Sequence, residues 1–350
     1  MADFHKLLIK DIKRETPKAI TLTFDVPSSL KDTFDFIPGQ YITIKDIINE
    51  QEVRRAYSIC SGSGSGILKV AIKEMPNGTF SVKANTTLKS GDTLEVHPPE
   101  GKFILQPNAN ASKTYCGFAA GSGITPIMGM IQSVMEQEPN SSFVLIYGNQ
   151  SPEETIFKAD LTELQSKYPN RLFIEHFYSR AQEDGAKFGR IEGATVNYVL
   201  KNAYKDLVFS DFFICGPEEM IDAVKTTLSE NNVNPNAIHF ELFTASTETN
   251  DTIEQMDGQT KVTVVVDDES FDFMMDQNKT LLDATLDEDI DAPYSCQGGV
   301  CSSCICRITE GKAIMNKNSI LTDAEIEEGL ILACQAHPTT TTLKVDFDDV

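Results

Sequence analysis

Three things are scarce in this 350-residue chain, and each narrows what it can be. No apolar run reaches the roughly 18–20 residues that cross a bilayer as a helix. The start, Met1-Ala-Asp-Phe-His-Lys6, lacks the basic residues and apolar stretch of an export signal, so the expectation is a soluble, cytoplasmic protein. Basic residues are few: 30 Lys and Arg stand against 52 Asp and Glu, a formal net charge of −22. Nucleic acid is disfavoured as a partner, because its phosphates would be repelled. The imbalance is uneven, with 18 acidic and 6 basic residues from Lys261 to Val350. Such a surface suits a protein partner with a basic docking face, since complementary charge speeds encounter, and it also serves solubility. There is no internal repeat and no low-complexity tract. Hydrophobic residues make up 41% of the chain, enough for the cores of two or three domains.

Cysteine is concentrated near the C-terminus. Cys296, Cys301 and Cys304 stand in the run Cys-Gln-Gly-Gly-Val-Cys-Ser-Ser-Cys, and Cys334 follows after 29 intervening residues. Spacings of four and then two residues are those of a plant-type 2Fe–2S ferredoxin. One short loop delivers three of the four thiolates that two adjacent irons need. Gly298 and Gly299 let that loop turn tightly and aim amide N–H groups at sulfur. A zinc site more often shows paired Cys-x2-Cys units or added histidines. No histidine lies in the loop, and the nearest to a ligand is His337. A disulfide framework would need an oxidising compartment. Cys306 shares the parity of Cys304 and is expected to be a buried strand residue. A cluster that passes single electrons needs a supplier and a consumer.

The remainder falls into blocks. Residues 1–110 read as short strands: Ala19–Phe24, Tyr41–Lys45 and Leu68–Lys73 alternate apolar and polar residues between turns, as in a small antiparallel β-barrel. Residues 111–244 alternate strands (Thr114–Ala119, Ser142–Tyr147, Arg171–Phe177, Asp211–Cys215) with helices such as Glu154–Tyr168 and Glu218–Asn231. That order implies a doubly wound parallel α/β sheet. Residues 245–259 are polar and read as a linker. Residues 260–350 open with the strand Lys261–Val266 and form the cluster-bearing α+β domain, expected to be a β-grasp.

Two of these blocks carry candidate ligand sites. A flavin needs a flat aromatic wall, a cation near its phosphates and a small donor at N5. Arg55, Tyr57 and Ser58, read as alternating strand positions, would supply all three from one face. Lys73-Glu-Met-Pro-Asn-Gly78-Thr-Phe-Ser81 offers a glycine turn leading to a helix N-terminus, an anion site. In the second block, Gly121-Ser-Gly123-Ile-Thr125-Pro126 follows a strand and opens a helix, so backbone can approach a pyrophosphate. It is not the Gly-x-Gly-x-x-Gly fingerprint of a simple dehydrogenase. Cys215-Gly216-Pro217 ends a strand where parallel sheets bind ligands, placing a thiol where a nicotinamide could lie.

Taken together, Arg55-x-Tyr57-Ser58, Gly121-x-Gly123-Ile-Thr125-Pro126 and Cys215-Gly216-Pro217 resemble the ferredoxin–NADP reductase superfamily, with a plant-type ferredoxin fused behind. The resemblance covers nearly the whole chain, and its domain order is similar to that of reductase subunits of multicomponent oxygenases. His239-Phe-Glu-Leu-Phe243 and the tail Val345-Asp-Phe-Asp348 match the same group. It implies FAD on Arg55, Tyr57 and Ser58, with Ser58 near N5, and a pyrophosphate turn at Gly78 and Ser81. It implies that Gly121, Gly123, Thr125, Cys215, Gly216 and Pro217 frame the nicotinamide, Ser58 and Cys215 standing at the chemistry. Ser179, Arg180 and Lys187 resemble the pocket for an adenosine 2′-phosphate, and cations there fit a phosphate. Gln150 departs from the pattern, because relatives often carry arginine there, so NADPH is only the leaning over NADH.

The implied route is NAD(P)H to FAD to the 2Fe–2S cluster on Cys296, Cys301, Cys304 and Cys334, and then to an oxygenase component of di-iron or Rieske type. Plant-type clusters lie near −400 mV, so downhill flow depends on N–H bonds to sulfur, cluster exposure or pull by the acceptor. A Rieske-type ring or steroid hydroxylase is an alternative client. A redox sensor is the alternative of another class, and would have no use for a complete flavin and nicotinamide apparatus.

Overall fold

The computed structural model describes residues 4–243 and 258–350; of the expected linker at 245–259, only Gly258 and Gln259 lie within the described residues. They divide into two units, one made of His5–Val53 and Tyr57–Phe243 and the other chiefly of the C-terminal residues.

The first unit opens with β1 (His5–Thr16), β2 (Ala19–Asp25), β3 (Tyr41–Ile48), β4 (Gln51–Ser58), β5 (Leu68–Lys73), the helix α1 (Phe80–Thr86) and β6 (Thr93–Val96). The strands join in the order β4-β3-β6-β1-β2-β5, with antiparallel ladders at β1–β2, β1–β6, β2–β5 and β3–β6. Ile59, just past β4, bridges Val70 of β5, so the two edge strands meet and the sheet closes as a barrel. Alternation determines what the barrel encloses: Leu7, Ile9, Ile20, Leu22, Ile42 and Ile44 are buried in one cluster.

A wound sheet follows: β7 (Thr114–Ala120), α2 (Ile124–Gln137), β8 (Ser142–Asn149), α3 (Lys158–Lys167), β9 (Leu172–Tyr178), β10 (Lys187–Phe188), α4 (Gly193–Tyr198), β11 (Asp211–Gly216), α5 (Glu218–Glu230) and β12 (Ile238–Leu242). Its order is β10-β9-β8-β7-β11-β12 and every ladder is parallel. Strands buried on both faces read as continuous apolar runs, and Phe143, Val144, Leu145, Ile146 and Tyr147 of β8 are all fully buried. The helix expected over Glu154–Tyr168 starts later, at Lys158. Phe157 is left-handed (φ 61) and Pro152–Glu154 forms a separate 3-10 turn. The break lets Ile156 and Phe157 enter the core, and both are buried.

Barrel and sheet are joined through α2, which is apolar on nearly all sides; Ile124, Ile127, Met130, Ile131 and Val134 are fully buried. Gln132 Oε1 accepts from Gly62 N (2.8 Å), Ser133 Oγ from Ser63 N (2.9 Å), and Gln137 Nε2 donates to Ser63 O (2.6 Å). A Cβ at Gly129 would lie 2.9 Å from Ile59 O and 3.0 Å from Ser61 O.

In the second unit β13 (Gln259–Val266), β14 (Glu269–Asp276), α6 (Leu281–Asp287), β15 (Ile305–Glu310), β16 (Ala313–Met315), α7 (Asp323–Glu327), β17 (Leu330–Leu332), β18 (Ala336–Pro338) and β19 (Thr342–Asp346) follow in turn. The main sheet runs β14-β13-β19-β15-β17, with β13 and β19 parallel and the other ladders antiparallel. Thr280 Oγ1 caps α6 by accepting from Asp283 N (3.1 Å). Leu281 and Leu282 pack with Val262, Val264, Leu343 and Val345, the expected β-grasp. Among the described residues no helix is long and apolar enough to cross a membrane.

Replacing Gly129 with valine should push α2 from the barrel backbone. Overpacking at such a contact costs about 1–3 kcal/mol; denaturant unfolding of the variant should show a loss of that size, and an unchanged midpoint would refute the close approach.

Candidate functional site

The strand order reverses between β7 and β11, and the carboxyl ends of parallel strands open there into a ligand crevice. Both glycine motifs stand at its mouth. Gly121 is left-handed (φ 54) and turns the chain out of β7. Gly123 sits so close to β11 that a Cβ would fall 2.1 Å from Cys215 O and 2.9 Å from Gly216 N. A Cβ at Gly216 would meet Met220 Cε at 2.6 Å. Thr125 is buried in the first turn of α2, and Pro217 precedes α5. Tyr147 Oη donates to Gly121 O (3.1 Å), fixing the turn from β8. At Gly123 and Gly216 the cradle is backbone with no room for a side chain, which fits a pyrophosphate and a flat ring. Sequence reasoning missed one cation here: Lys73 Nζ, at the end of β5, lies 3.6 Å from where a Cβ of Gly121 would be.

On the barrel side the expected trio separates. Arg55 and Tyr57, two apart on β4, have the same parity, whereas Ser58 adjoins Tyr57 and faces the other way. Arg55 is exposed, its Nη1 donating to Arg54 O (2.7 Å). Tyr57 is half-buried, its ring 5.8 Å from that of Phe80 on α1. Gly78 and Ser81 form the expected turn: Ser81 Oγ accepts from Met75 N (3.1 Å), and a Cβ at Gly78 would lie 2.3 Å from that oxygen.

Ser58 points instead to a residue that the motifs did not identify. Its Oγ lies 3.5 Å from Glu241 Oε2 on β12. Glu241 pairs in register with Cys215, so a barrel hydroxyl, a carboxyl and a thiol converge at the crevice. Some surface of Glu241 as a residue remains accessible, yet packing around the carboxyl itself strips its solvent. Burial pushes it up to about 8, against the opposing bond from Ser58. Burial also pushes the Cys215 thiol well up, with the Glu241 charge adding to the effect, so this cysteine stays a neutral thiol. The available signal was a lone acidic residue within the apolar strand Ile-His-Phe-Glu-Leu.

At the carboxyl end of β9 the chain continues alongside β8: Ser179 N donates to Asn149 O (3.0 Å) and Arg180 N to Gln150 O (2.9 Å). The Arg180 side chain is exposed. Lys187 is paired in register with Phe177, and its ammonium is bonded to Glu175. It also lies 4.7 Å from the centre of the Tyr198 ring.

In the C-terminal unit the four thiols form two pairs. Cys301 bonds to Cys296, and Cys304 bonds to Cys334. The contact with Cys301 and N–H groups of Gly298, Val300 and Cys301 lower the Cys296 thiol against its burial, while Cys301, its partner, is pushed well up. Cys334 is likewise lowered, first by Cys304 and with help from Gly299 N–H and Gln335. Gln297 (φ 54) and Gly299 (φ 70) turn the loop that aims these amides. Among the described residues no group of three or more His, Cys, Asp or Glu converges as for a single metal ion. Two thiol pairs instead suit two adjacent irons, each taking one pair. His337 is engaged elsewhere, contacting Gln277 O through Nδ1 (3.1 Å) and Asn316 through Nε2 (2.9 Å). Cys306 lies buried in β15, its thiol pushed up by burial.

Comparison with known proteins agrees with this layout. Family models for an oxidoreductase FAD-binding domain match residues 6–104, for an oxidoreductase NAD-binding domain residues 118–226, and for a 2Fe-2S iron-sulfur cluster binding domain residues 264–339. The chain is 38% identical to one of the subunits of the Escherichia coli 1,2-phenylacetyl-CoA epoxidase, covering 99% of each. It is 31% identical to the ferredoxin reductase component of a Rhodococcus rhodochrous 3-ketosteroid-9-alpha-monooxygenase, covering 97% of this chain and 96% of that one. In fold it is similar to phthalate dioxygenase reductase, with a TM-score of 0.62 at 23% identity and 98% of each chain covered.

A carboxyl raised by burial is stabilising below its unfolded pKa, and that contribution is lost as pH rises through the folded value. Glu241→Gln should therefore gain on the parent between about pH 4.5 and 8, by on the order of 1–3 kcal/mol once the residue's partial exposure is allowed for. Unfolding midpoints at pH 5, 7 and 9 test this; a difference independent of pH would refute the buried carboxyl.

Proposed function

We propose that this chain, which belongs to the family of reductase components of multicomponent oxygenases, is the reductase subunit of a phenylacetyl-CoA epoxidase. The observation that carries the reading is the end-to-end match to a component of that enzyme. The general activity is that of a ferredoxin-reductase-type oxidoreductase. When bound, FAD accepts two electrons from NAD(P)H as a hydride and the 2Fe–2S cluster carries them singly to the oxygenase.

The chain's own residues hold, orient and shield these groups. Arg55 supplies a cation and Tyr57 a flat wall for the flavin, and Gly78 and Ser81 form the turn for its phosphates. Gly121, Gly123, Thr125, Gly216 and Pro217 leave a backbone cradle for the nicotinamide dinucleotide. Glu241 holds a proton at the crevice beside the Ser58 hydroxyl, with Cys215 as a neutral, water-excluding neighbour. Cys296, Cys301, Cys304 and Cys334 hold the cluster, with N–H groups of the 297–301 loop turned to sulfur. The acidic C-terminal sequence favours a basic face on the oxygenase. A cytoplasmic setting suits eight cysteines of which four are assigned to a cluster and none is paired in a disulfide among the described residues.

The test is reconstitution. The purified chain should support NAD(P)H-dependent epoxidation of phenylacetyl-CoA by the corresponding oxygenase, and should serve a ketosteroid hydroxylase poorly. Equal or better support of the hydroxylase would reassign the client. Cys301→Ser should bring electron delivery to background, while anaerobic stopped flow still shows flavin reduction by NAD(P)H; loss of both would contradict the order of the relay.

A further inference from the structure

The edge of β9 presents two cations to an adenosine, and they stand in different electrostatic states. Arg180 is exposed, and no ion pair to it occurs among the described residues. Lys187 is held. Its Cβ parity follows Phe177 and hence Glu175, on one face of β9, and the ammonium is bonded to Glu175. Glu175 is fixed from its other oxygen, which accepts from Tyr204 Oη (3.2 Å). The Lys187 ammonium also lies against two rings, 4.7 Å from Tyr198 and 5.8 Å from Phe177. The side chains of Lys187 and Glu175 retain 34% and 20% exposure, so the pair is half-desolvated. If Lys187 turned to a phosphate, the Glu175 carboxylate would be left without its cation and close to that phosphate's own charge.

We propose that Glu175 sets the choice between NADH and NADPH by keeping Lys187 from the adenosine 2′-phosphate, leaving Arg180 as the cation that reads it. This deepens the proposed function and rests on the resemblance by which Ser179, Arg180 and Lys187 take the adenosine 2′-phosphate at the carboxyl end of β9. Glu175 never touches the cofactor in this arrangement. It is a positioning residue, acting through the availability of Lys187. By the resemblance, Lys187 would be a ligand of the 2′-phosphate. A lysine at the pocket adds no 2′-phosphate affinity, however, while a carboxylate on the same strand face neutralises it.

Glu175→Gln keeps the size of the side chain and an oxygen to accept from Tyr204, and removes only the charge. On the holoenzyme it should raise the NADPH/NADH ratio of kcat/KM about five- to tenfold, through KM for NADPH with kcat little changed. Calorimetric affinity for adenosine 2′,5′-bisphosphate relative to AMP, a readout independent of turnover, should rise in parallel. Adding Lys187→Met to this variant should return both ratios to the parent values. In the parent, Lys187→Met uncovers the Glu175 carboxylate, so any fall it causes in either ratio should be reversed by adding Glu175→Gln. An unchanged ratio in Glu175→Gln would overturn the proposal, as would a fall in Lys187→Met that Glu175→Gln does not reverse; the second arm decides even if the first variant folds poorly. Arg180→Ala separates the underlying reading. If it weakens 2′-phosphate binding while Glu175→Gln does nothing, the adenosine site stands and the role of Glu175 falls. If it leaves the affinity for adenosine 2′,5′-bisphosphate unaltered, the site itself has been misplaced and the proposal falls with it.

Discussion

The contact between Gly123 and the end of β11 is the constraint on which the crevice depends. A Cβ at Gly123 would overlap the carbonyl of Cys215, so the turn after β7 can rest on β11 only if it carries no side chain. That closeness places the first turn of α2, with Thr125, beside Cys215 and Gly216. It also places α2 where its outer side meets the barrel, through Gln132, Ser133 and Gln137. Barrel and wound sheet thereby share one compact unit. Ser58 at the end of a barrel strand can reach Glu241 on the last strand of the sheet only because of that packing.

The crevice also shows how loss of solvent tunes titratable groups. Glu241 and Cys215 are register neighbours, and burial moves both toward their neutral forms. A neutral carboxyl bonded to a hydroxyl is a proton-holding pair in an apolar setting, and a neutral thiol beside it fills space without attacking a ligand. The cluster loop works in the opposite direction. There, thiol–thiol bonds and inward N–H groups outweigh burial and favour thiolate at Cys296 and Cys334. One thiol of each loop pair is thus lowered and its partner raised, whereas Cys215 and Cys306, without such donors, are raised by burial.

Charge at the edge of β9 is governed by the same reasoning. Arg180 and Lys187 are equivalent as letters, but Lys187 lies on the sheet face it shares with Glu175, whereas Arg180 lies past the end of β9. Strand parity and the pairing of Lys187 with Phe177 decide which cation is available.

Much of this protein was determined by sequence alone. Alternation gave the barrel strands their two faces, apolar runs marked the wound sheet, and the spacing of Cys296, Cys301 and Cys304 identified the cluster loop, because each of these signals is local. The late start of α3 was less legible, since Phe157 leaves the helix to reach a core formed by distant strands. Glu241 was illegible as a site residue: an acid in a strand has no meaning until Ser58 and Cys215, 183 and 26 positions away in the chain, stand beside it. The reading of Arg55, Tyr57 and Ser58 as one face failed for a simpler reason, because adjacent residues on a strand point to opposite sides. Sequence decided which ligands this chain is built to hold, since glycine turns and thiol spacings act through nearest neighbours. Only tertiary structure decided which side chains are neutral, charged or already occupied, because solvation and pairing depend on residues the chain brings together from far apart.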